Sequence, residues 1–111
     1  MPEPTLSARI VLTTVVSPEE AGRIGRTLVE ERLAACATLL PAIHSIYRWH
    51  DQIETSAETM LMLKTSVAQL SLLETRLHEL HSYQTPEFLV LPVESGSQAY
   101  LDWLHASLHA A

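Results

Sequence analysis

The pattern of apolar and polar positions opens with Arg9 to Val16, Arg-Ile-Val-Leu-Thr-Thr-Val-Val, a β-branched run with no helical period. Such a run suits a strand buried on both faces. Ser17-Pro18-Glu19-Glu20 follows with an N-cap, a proline at the first helical position and a carboxylate three residues after the cap, the pattern of a capping box. Ala21, Ile24, Leu28 and Leu33 then recur near the helical period. They predict a helix over residues 18–33 with that stripe against a sheet and with Arg23, Arg26 and Glu30 on its solvated face.

From about Ala37 to Trp49 the pattern is strand-like but interrupted by Pro41. A proline has no N–H to give to a ladder, so it marks an edge or a bulge. His50-Asp51-Gln52 is a polar break, and residues 53–65 read as a returning strand that ends in Met60, Leu61, Met62, Leu63, Lys64 and Thr65. The two strands make a hairpin whose arms are about twice the usual five or six residues, so its tip should project past the covered core. Tyr47, Trp49 and Ile53 lie near that tip with nothing in the same chain to cover them. A long apolar hairpin left in water would invite aggregation, so another subunit is expected there.

Ser66 and Gln69 offer a second capping box, and Leu70, Leu73, Leu77 and Leu80 predict an amphipathic helix over residues 67–80. Tyr83-Gln84-Thr85-Pro86 breaks it. Glu87 to Val93 reads as a fourth strand, with Pro92 again marking an edge or a bulge. Ser95-Gly96-Ser97 is a turn, and Tyr100, Leu101, Leu104 and Leu108 define a short terminal helix. The order is β-α-β-β-α-β-α. Its first six elements match the split βαβ, ferredoxin-like plan of the α+β class, an antiparallel sheet with two helices on one face. That plan serves many functions and decides no chemistry.

Composition narrows the classes. At 111 residues the chain is one domain, with residues 1–8 read as a short leader and residues 9–111 as the domain. The leader has no basic segment followed by an apolar one, so it does not read as a secretion signal, and no apolar run approaches the roughly 20 residues of a membrane helix. With 47% hydrophobic and 18% charged residues, the chain can fill a core. Thirteen acidic residues against seven basic give a formal charge of −6, which argues against nucleic acid as a partner, since backbone binding depends on clustered Lys and Arg. A lone cysteine, Cys36, excludes an intrachain disulfide and any CxxC motif and suits a reducing cytoplasm.

Six histidines raise metal binding as a question. His78 and His81 stand three apart on one predicted helix, and His105 and His109 four apart on another; either spacing can put two imidazoles on one face. Two ligands are too few for a tight site. The plainer reading makes them surface residues near helix C-termini, where a positive ring complements the dipole. His44 and His50 fall in the hairpin. Cys36, among Leu33, Ala34, Ala35 and Ala37, reads as a small buried hydrophobe or as a soft metal ligand. No GxSxG, HExxH or Gly-rich phosphate loop occurs, so no enzyme activity is expected. Trp49, Lys64, Tyr83, Glu87 and Trp103 are polar or amphipathic groups suited to an intersubunit ligand groove, or to packing.

Leu33-Ala34-Ala35-Cys36-Ala37-Thr38-Leu39-Leu40-Pro41, Ser45-Ile46-Tyr47-Arg48-Trp49, Met62-Leu63-Lys64-Thr65 and the block Tyr83-Gln84-Thr85-Pro86-Glu87-Phe88-Leu89-Val90-Leu91-Pro92-Val93 can be read together. With Tyr100-Leu101-Asp102-Trp103-Leu104 following, the chain closely resembles the CutA divalent-cation tolerance family over about residues 9–108. The resemblance implies a cytoplasmic homotrimer of ferredoxin-like subunits, similar in architecture to the PII signalling proteins, with long hairpins that pair across subunits. It implies a response to metal ions, with copper or another divalent cation as the ligand and no organic cofactor. Some members bind copper through a first-strand cysteine and two adjacent histidines. Those positions fall here at Thr13 and at Leu80 and His81, which leaves His81 as the one candidate metal ligand. The alternative function is a PII-like trimer that senses a small ligand, or binds a partner, in the groove.

Overall fold

The computed structural model describes residues 7–109. Along the chain run β1 (Ala8–Val15), α1 (Pro18–Glu30), β2 (Cys36–Trp49), β3 (Gln52–Ser66), α2 (Leu70–Leu80), β4 (Leu89–Pro92) and α3 (Gln98–Ser107), with a 3-10 turn over Val67–Gln69 leading into α2. All strand pairs are antiparallel, in the order β2-β3-β1-β4. This is the ferredoxin-like sheet the order of elements predicts. Of the expected leader, residues 1–6 lie outside the described residues, while Ala8 already pairs with Ser66.

The core lies between one sheet face and the two helices α1 and α2. Alternate residues of β1 and β3, Val11, Val15, Leu61 and Leu63, meet Ile24 and Leu28 of α1 and Leu73 and Leu77 of α2, all with no exposed surface. α1 begins as the capping pattern requires. The Ser17 hydroxyl accepts the Glu20 N–H at 3.2 Å, and Glu20 Oε2 reaches back to the Val16 N–H at 3.3 Å, one residue before the cap. The helix ends three residues before the expected limit. Arg32 adopts a left-handed φ of 59°, its N–H bonds the Val29 carbonyl, and the Leu33 N–H bonds the Leu28 carbonyl, a Schellman ending with arginine where glycine is usual. Leu33 therefore packs on the core from outside the helix.

The second capping box does not form. Ser66 Oγ donates to the Gln69 side chain instead of accepting a backbone N–H, and the first turn tightens to 3-10 geometry before α2. The fourth strand is shorter than its sequence block, because only Leu89 to Pro92 find partners along Arg9 to Leu12.

The hairpin closes on two residues. Trp49 pairs with Gln52, and His50 and Asp51 between them hold φ of 50° and 62°, the positive values of a type I′ turn. Pro41 and Ala42 form the expected irregularity, a register shift between Leu40 and Ile43. β1 pairs with β3 only from Thr59 to Ser66, so the arm from Gln52 to Glu58 pairs with β2 alone and extends ~23 Å past the three-strand region. The chain accordingly measures 50 × 25 × 23 Å. Ile46 and Ile53 on that arm are 73% and 62% exposed.

Cross-strand partners place Ile10, Leu12, Met60, Met62, Leu89 and Leu91 on the face opposite α1 and α2. One end of that face is covered by α3, whose Leu101 and Leu104, with Leu108 just beyond its end, bury Ala8 and Ala35 in a second small core. His105 belongs to the α3 contact and is only 8% exposed, which corrects its surface assignment.

Candidate functional site

The segment between α2 and β4 builds one wall of a cleft. His81 ends α2 with an extended backbone, which turns the chain back over the sheet. Its Nδ1 accepts the Tyr83 N–H at 3.1 Å, so Nε2 carries the proton and donates to the Thr14 carbonyl at 2.9 Å, a tautomer assigned from the network. The adjacent Ser82 N–H donates to Glu20 Oε1 at 2.9 Å. Burial alone would raise the Glu20 carboxyl, but hydrogen bonds from Ser82 and Val16 and the nearby His81 outweigh it and hold the group below its ordinary value. Fixed in this way, Tyr83 lays its ring on His81, centroids 4.8 Å apart, and donates its hydroxyl to Glu58 Oε2 at 2.6 Å.

The cleft so formed has a volume of about 800 Å³, bounded by Thr14, by Ser45, Tyr47, Trp49 and Glu58 of the hairpin, and by the stretch from Ser82 to Glu87. Among the described residues no Lys, Arg or His lines it. Burial, then the hydrogen bond to Glu58 and its charge, push the Tyr83 phenol well above its ordinary range. Burial and the Glu58 charge likewise raise the Glu87 carboxyl.

Of the groove residues read from sequence, Trp49, Tyr83 and Glu87 line this cleft. Lys64 and Trp103 gather elsewhere, around Tyr100. Lys64 Nζ donates to the Tyr100 hydroxyl at 2.9 Å and lies 5.2 Å from its ring centroid, and the Trp103 ring packs on Tyr100 at 5.4 Å. The Tyr100 hydrogen bond raises the Lys64 ammonium above its ordinary value against the opposing effect of burial. Lys64 stands six residues from Glu58 on β3, ~20 Å along the strand. Within one chain the five residues thus form two groups.

His81 is 8% exposed with both ring nitrogens engaged, so a metal could take one only by displacing the Tyr83 N–H or the Thr14 carbonyl. His78 turns outward and bonds the Glu74 carbonyl. Cys36 is free and half-buried, not enclosed, with Sγ 3.7 Å from Thr38 Oγ1. Among the described residues no group of three or more His, Cys, Asp and Glu is placed to hold a metal ion. The cleft residues that sequence reasoning did not assign to the groove include Thr14, Tyr47, Glu58 and Ser82. The one available signal was Glu58, an acid sharing its strand face with Met60 and Met62.

Residues 9–107 match the family model of the CutA1 divalent ion tolerance protein. The divalent-cation tolerance protein CutA of Pectobacterium atrosepticum is 42% identical over 105 residues, 95% of this chain and 96% of its own. The solved structure of the divalent cation tolerance protein Cut A1 from Thermus thermophilus matches with a TM-score of 0.86 at 43% identity, over 87% of this chain and 94% of that one. The periplasmic divalent cation tolerance protein CutA from Archaeoglobus fulgidus matches with a TM-score of 0.89 at 32% identity, over 92% and 94%. Fold, length and sequence blocks agree from β1 to α3, and the chain belongs to the CutA1 divalent ion tolerance family.

Proposed function

We propose that the chain acts as a cytoplasmic homotrimer whose part in divalent-cation tolerance is to bind, weakly, copper or another divalent cation. Family membership carries the general tolerance role, and proteins of this family are non-catalytic. The observation that supports assembly is the part of the sheet face that α3 leaves uncovered. Ile10, Leu12, Met60, Met62, Leu89 and Leu91 present a continuous apolar surface on the side away from α1 and α2, and the hairpin carries Ile46 and Ile53 out beyond the core. Copies of the same chain burying these surfaces would extend a core that one subunit leaves half open. Sedimentation equilibrium at micromolar protein should give about three times the 12.4 kDa of the chain; a 12.4 kDa species overturns the trimer.

His81 is the candidate ligand for the cation, and its two hydrogen bonds are the reason such binding would be weak. Calorimetry with Cu(II) and Zn(II) tests it: unchanged binding by His81→Ala removes that residue from the site. A cytoplasmic location is supported by the single free thiol, and cell fractionation tests it. No helix among the described residues is long and apolar enough to cross a membrane.

The cleft favours a second reading, a PII-like trimer that senses a small ligand. Its volume of about 800 Å³ falls in the range of small-molecule sites, and Trp49, Tyr83 and Glu87 meet there. Lys64 and Trp103, gathered round Tyr100, are the other end of the groove in this reading. A ligand screen in which Trp49→Ala and Lys64→Ala alter nothing counts against it.

A further inference from the structure

We infer that the cleft is completed by a second copy of the chain, whose Arg48 enters it and pairs with Glu58 and Glu87. This rests on the homotrimer proposed above and names a contact that joins its subunits. Glu58 is 7% exposed and bonded to the Tyr83 hydroxyl, and among the described residues no basic side chain lines the cleft. A carboxylate so buried normally faces a positive charge, because removing it from water is costly. The Glu87 carboxyl is raised by burial and then by the Glu58 charge, as befits two acids with no cation between them.

The cation that is free to answer them is Arg48. Of the seven basic residues, Arg9 and Arg32 are held by backbone carbonyls, Arg23, Arg26 and Arg76 by carboxylates, and Lys64 by Tyr100. Arg48 is exposed and has no hydrogen bond or ion pair among the described residues. Strand alternation keeps it from the cleft of its own chain. Tyr47 and Trp49 on either side of it line that cleft, so Arg48 stands on the other face of the hairpin, across from Ile53. Ile53 is 62% exposed, and Ile46, two positions before Arg48, is 73% exposed. The receiving surface has the matching order. Glu58 stands two positions before Met60 on the sheet face that α3 leaves uncovered, so over the same ~7 Å apolar meets apolar and base meets acid. One face of the hairpin is thus acidic and aromatic, the other apolar and basic. Copies that set one face against the opposite face of the next make a head-to-tail contact, which closes into a ring, as a trimer requires. Tyr47 and Trp49 are then covered by the incoming hairpin instead of facing water.

Sedimentation over a dilution series, in urea that half-dissociates the parent assembly, tests the pairing. Circular dichroism without urea checks that each variant folds. Arg48→Glu and Glu87→Arg should each weaken assembly about tenfold or more, and so should Glu58→Gln, which keeps an acceptor for Tyr83. The double variant Arg48→Glu with Glu87→Arg restores opposite charges and should return to within about threefold of the parent. Assembly unaffected by Arg48→Glu, or a double variant no better than the single ones, overturns the proposal. If Glu87→Arg does not fold, Arg48→Ala combined with Glu58→Gln takes its place: their losses should be less than additive, and additive losses overturn the pairing. Rescue of Glu87→Arg by Lys64→Glu instead of by Arg48→Glu gives the cleft to the partner subunit's Lys64, which also overturns it. A parent that sediments at 12.4 kDa without urea overturns the trimer as well.

Discussion

Replacing Gly22 by alanine should stabilise the protein, whereas the same change three residues later, at Gly25, should weaken it. Both glycines lie inside α1, where alanine is favoured over glycine by about 0.8–1.0 kcal/mol. At Gly22 an added Cβ meets nothing within 4 Å, so the whole gain of about 1 kcal/mol should appear. At Gly25 the same Cβ would stand 2.9 Å from Ala37 Cβ and 3.4 Å from Leu61 Cδ1. Leu61 can rotate its methyl away, but Ala37 Cβ is fixed to the backbone of β2. Either α1 or β2 must move, and overpacking of this kind costs about 1–3 kcal/mol, enough to cancel or reverse the gain. Urea denaturation followed by circular dichroism, at one protein concentration because assembly shifts apparent stability, reads both effects. Adding Ala37→Gly to Gly25→Ala reopens the space, so the pair should be more stable than the sum of the single changes by about 1–2 kcal/mol. If Gly25→Ala stabilises as much as Gly22→Ala, or if the double variant is merely additive, α1 does not approach β2 as described.

Asp51→Gly should raise stability by about 0.5–1 kcal/mol in the same assay, since Asp51 holds φ of 62° in a type I′ turn that favours glycine; a loss of stability would refute that turn geometry. Thr13→Val should be stabilising or neutral, by up to about 1–3 kcal/mol, because the Thr13 hydroxyl is fully buried with no hydrogen-bond partner among the described residues; a marked loss would mean that the hydroxyl is bonded. The Glu20 carboxyl sits below its ordinary value of 4.5, so its contribution is complete above about pH 4.5 and fades as pH falls through the lower folded value. Glu20→Gln should therefore be less stable than the parent at pH 7, with the gap narrowing below about pH 4.5; a gap independent of pH refutes the ionic role.

The cleft shows how differently its parts could be read in advance. Tyr83 and Glu87 stand in a sequence block between a helix and a strand, and Trp49 at the end of a strand beside a polar break, so all three were visible as unusual residues. Glu58 offered a weaker signal, an acid sharing its strand face with Met60 and Met62 in a run that otherwise reads simply as strand. His81 was visible as a metal candidate, but its hydrogen bonds to Thr14, 67 residues away, and to Tyr83 reveal a role in positioning the loop. The limits of α1 show the same divide. Leu33 continues the apolar stripe, and no local signal says that Arg32 will take the left-handed conformation that ends the helix before it.

Periodicity, caps and turn residues act over a few neighbouring positions, so element types, their order, the long hairpin and its bulge at Pro41 follow from the chain read in order. Placement of the cleft does not. It depends on Tyr83 reaching across 25 residues of sequence to Glu58, on Glu20 and Thr14 fixing the loop that carries it, and on Lys64 being drawn to Tyr100. These are contacts between residues far apart in sequence, set by where the hairpin projects and where α2 packs. Which polar groups they satisfy, and that Glu58 comes to line the cleft beside Tyr83, are properties of the packed chain.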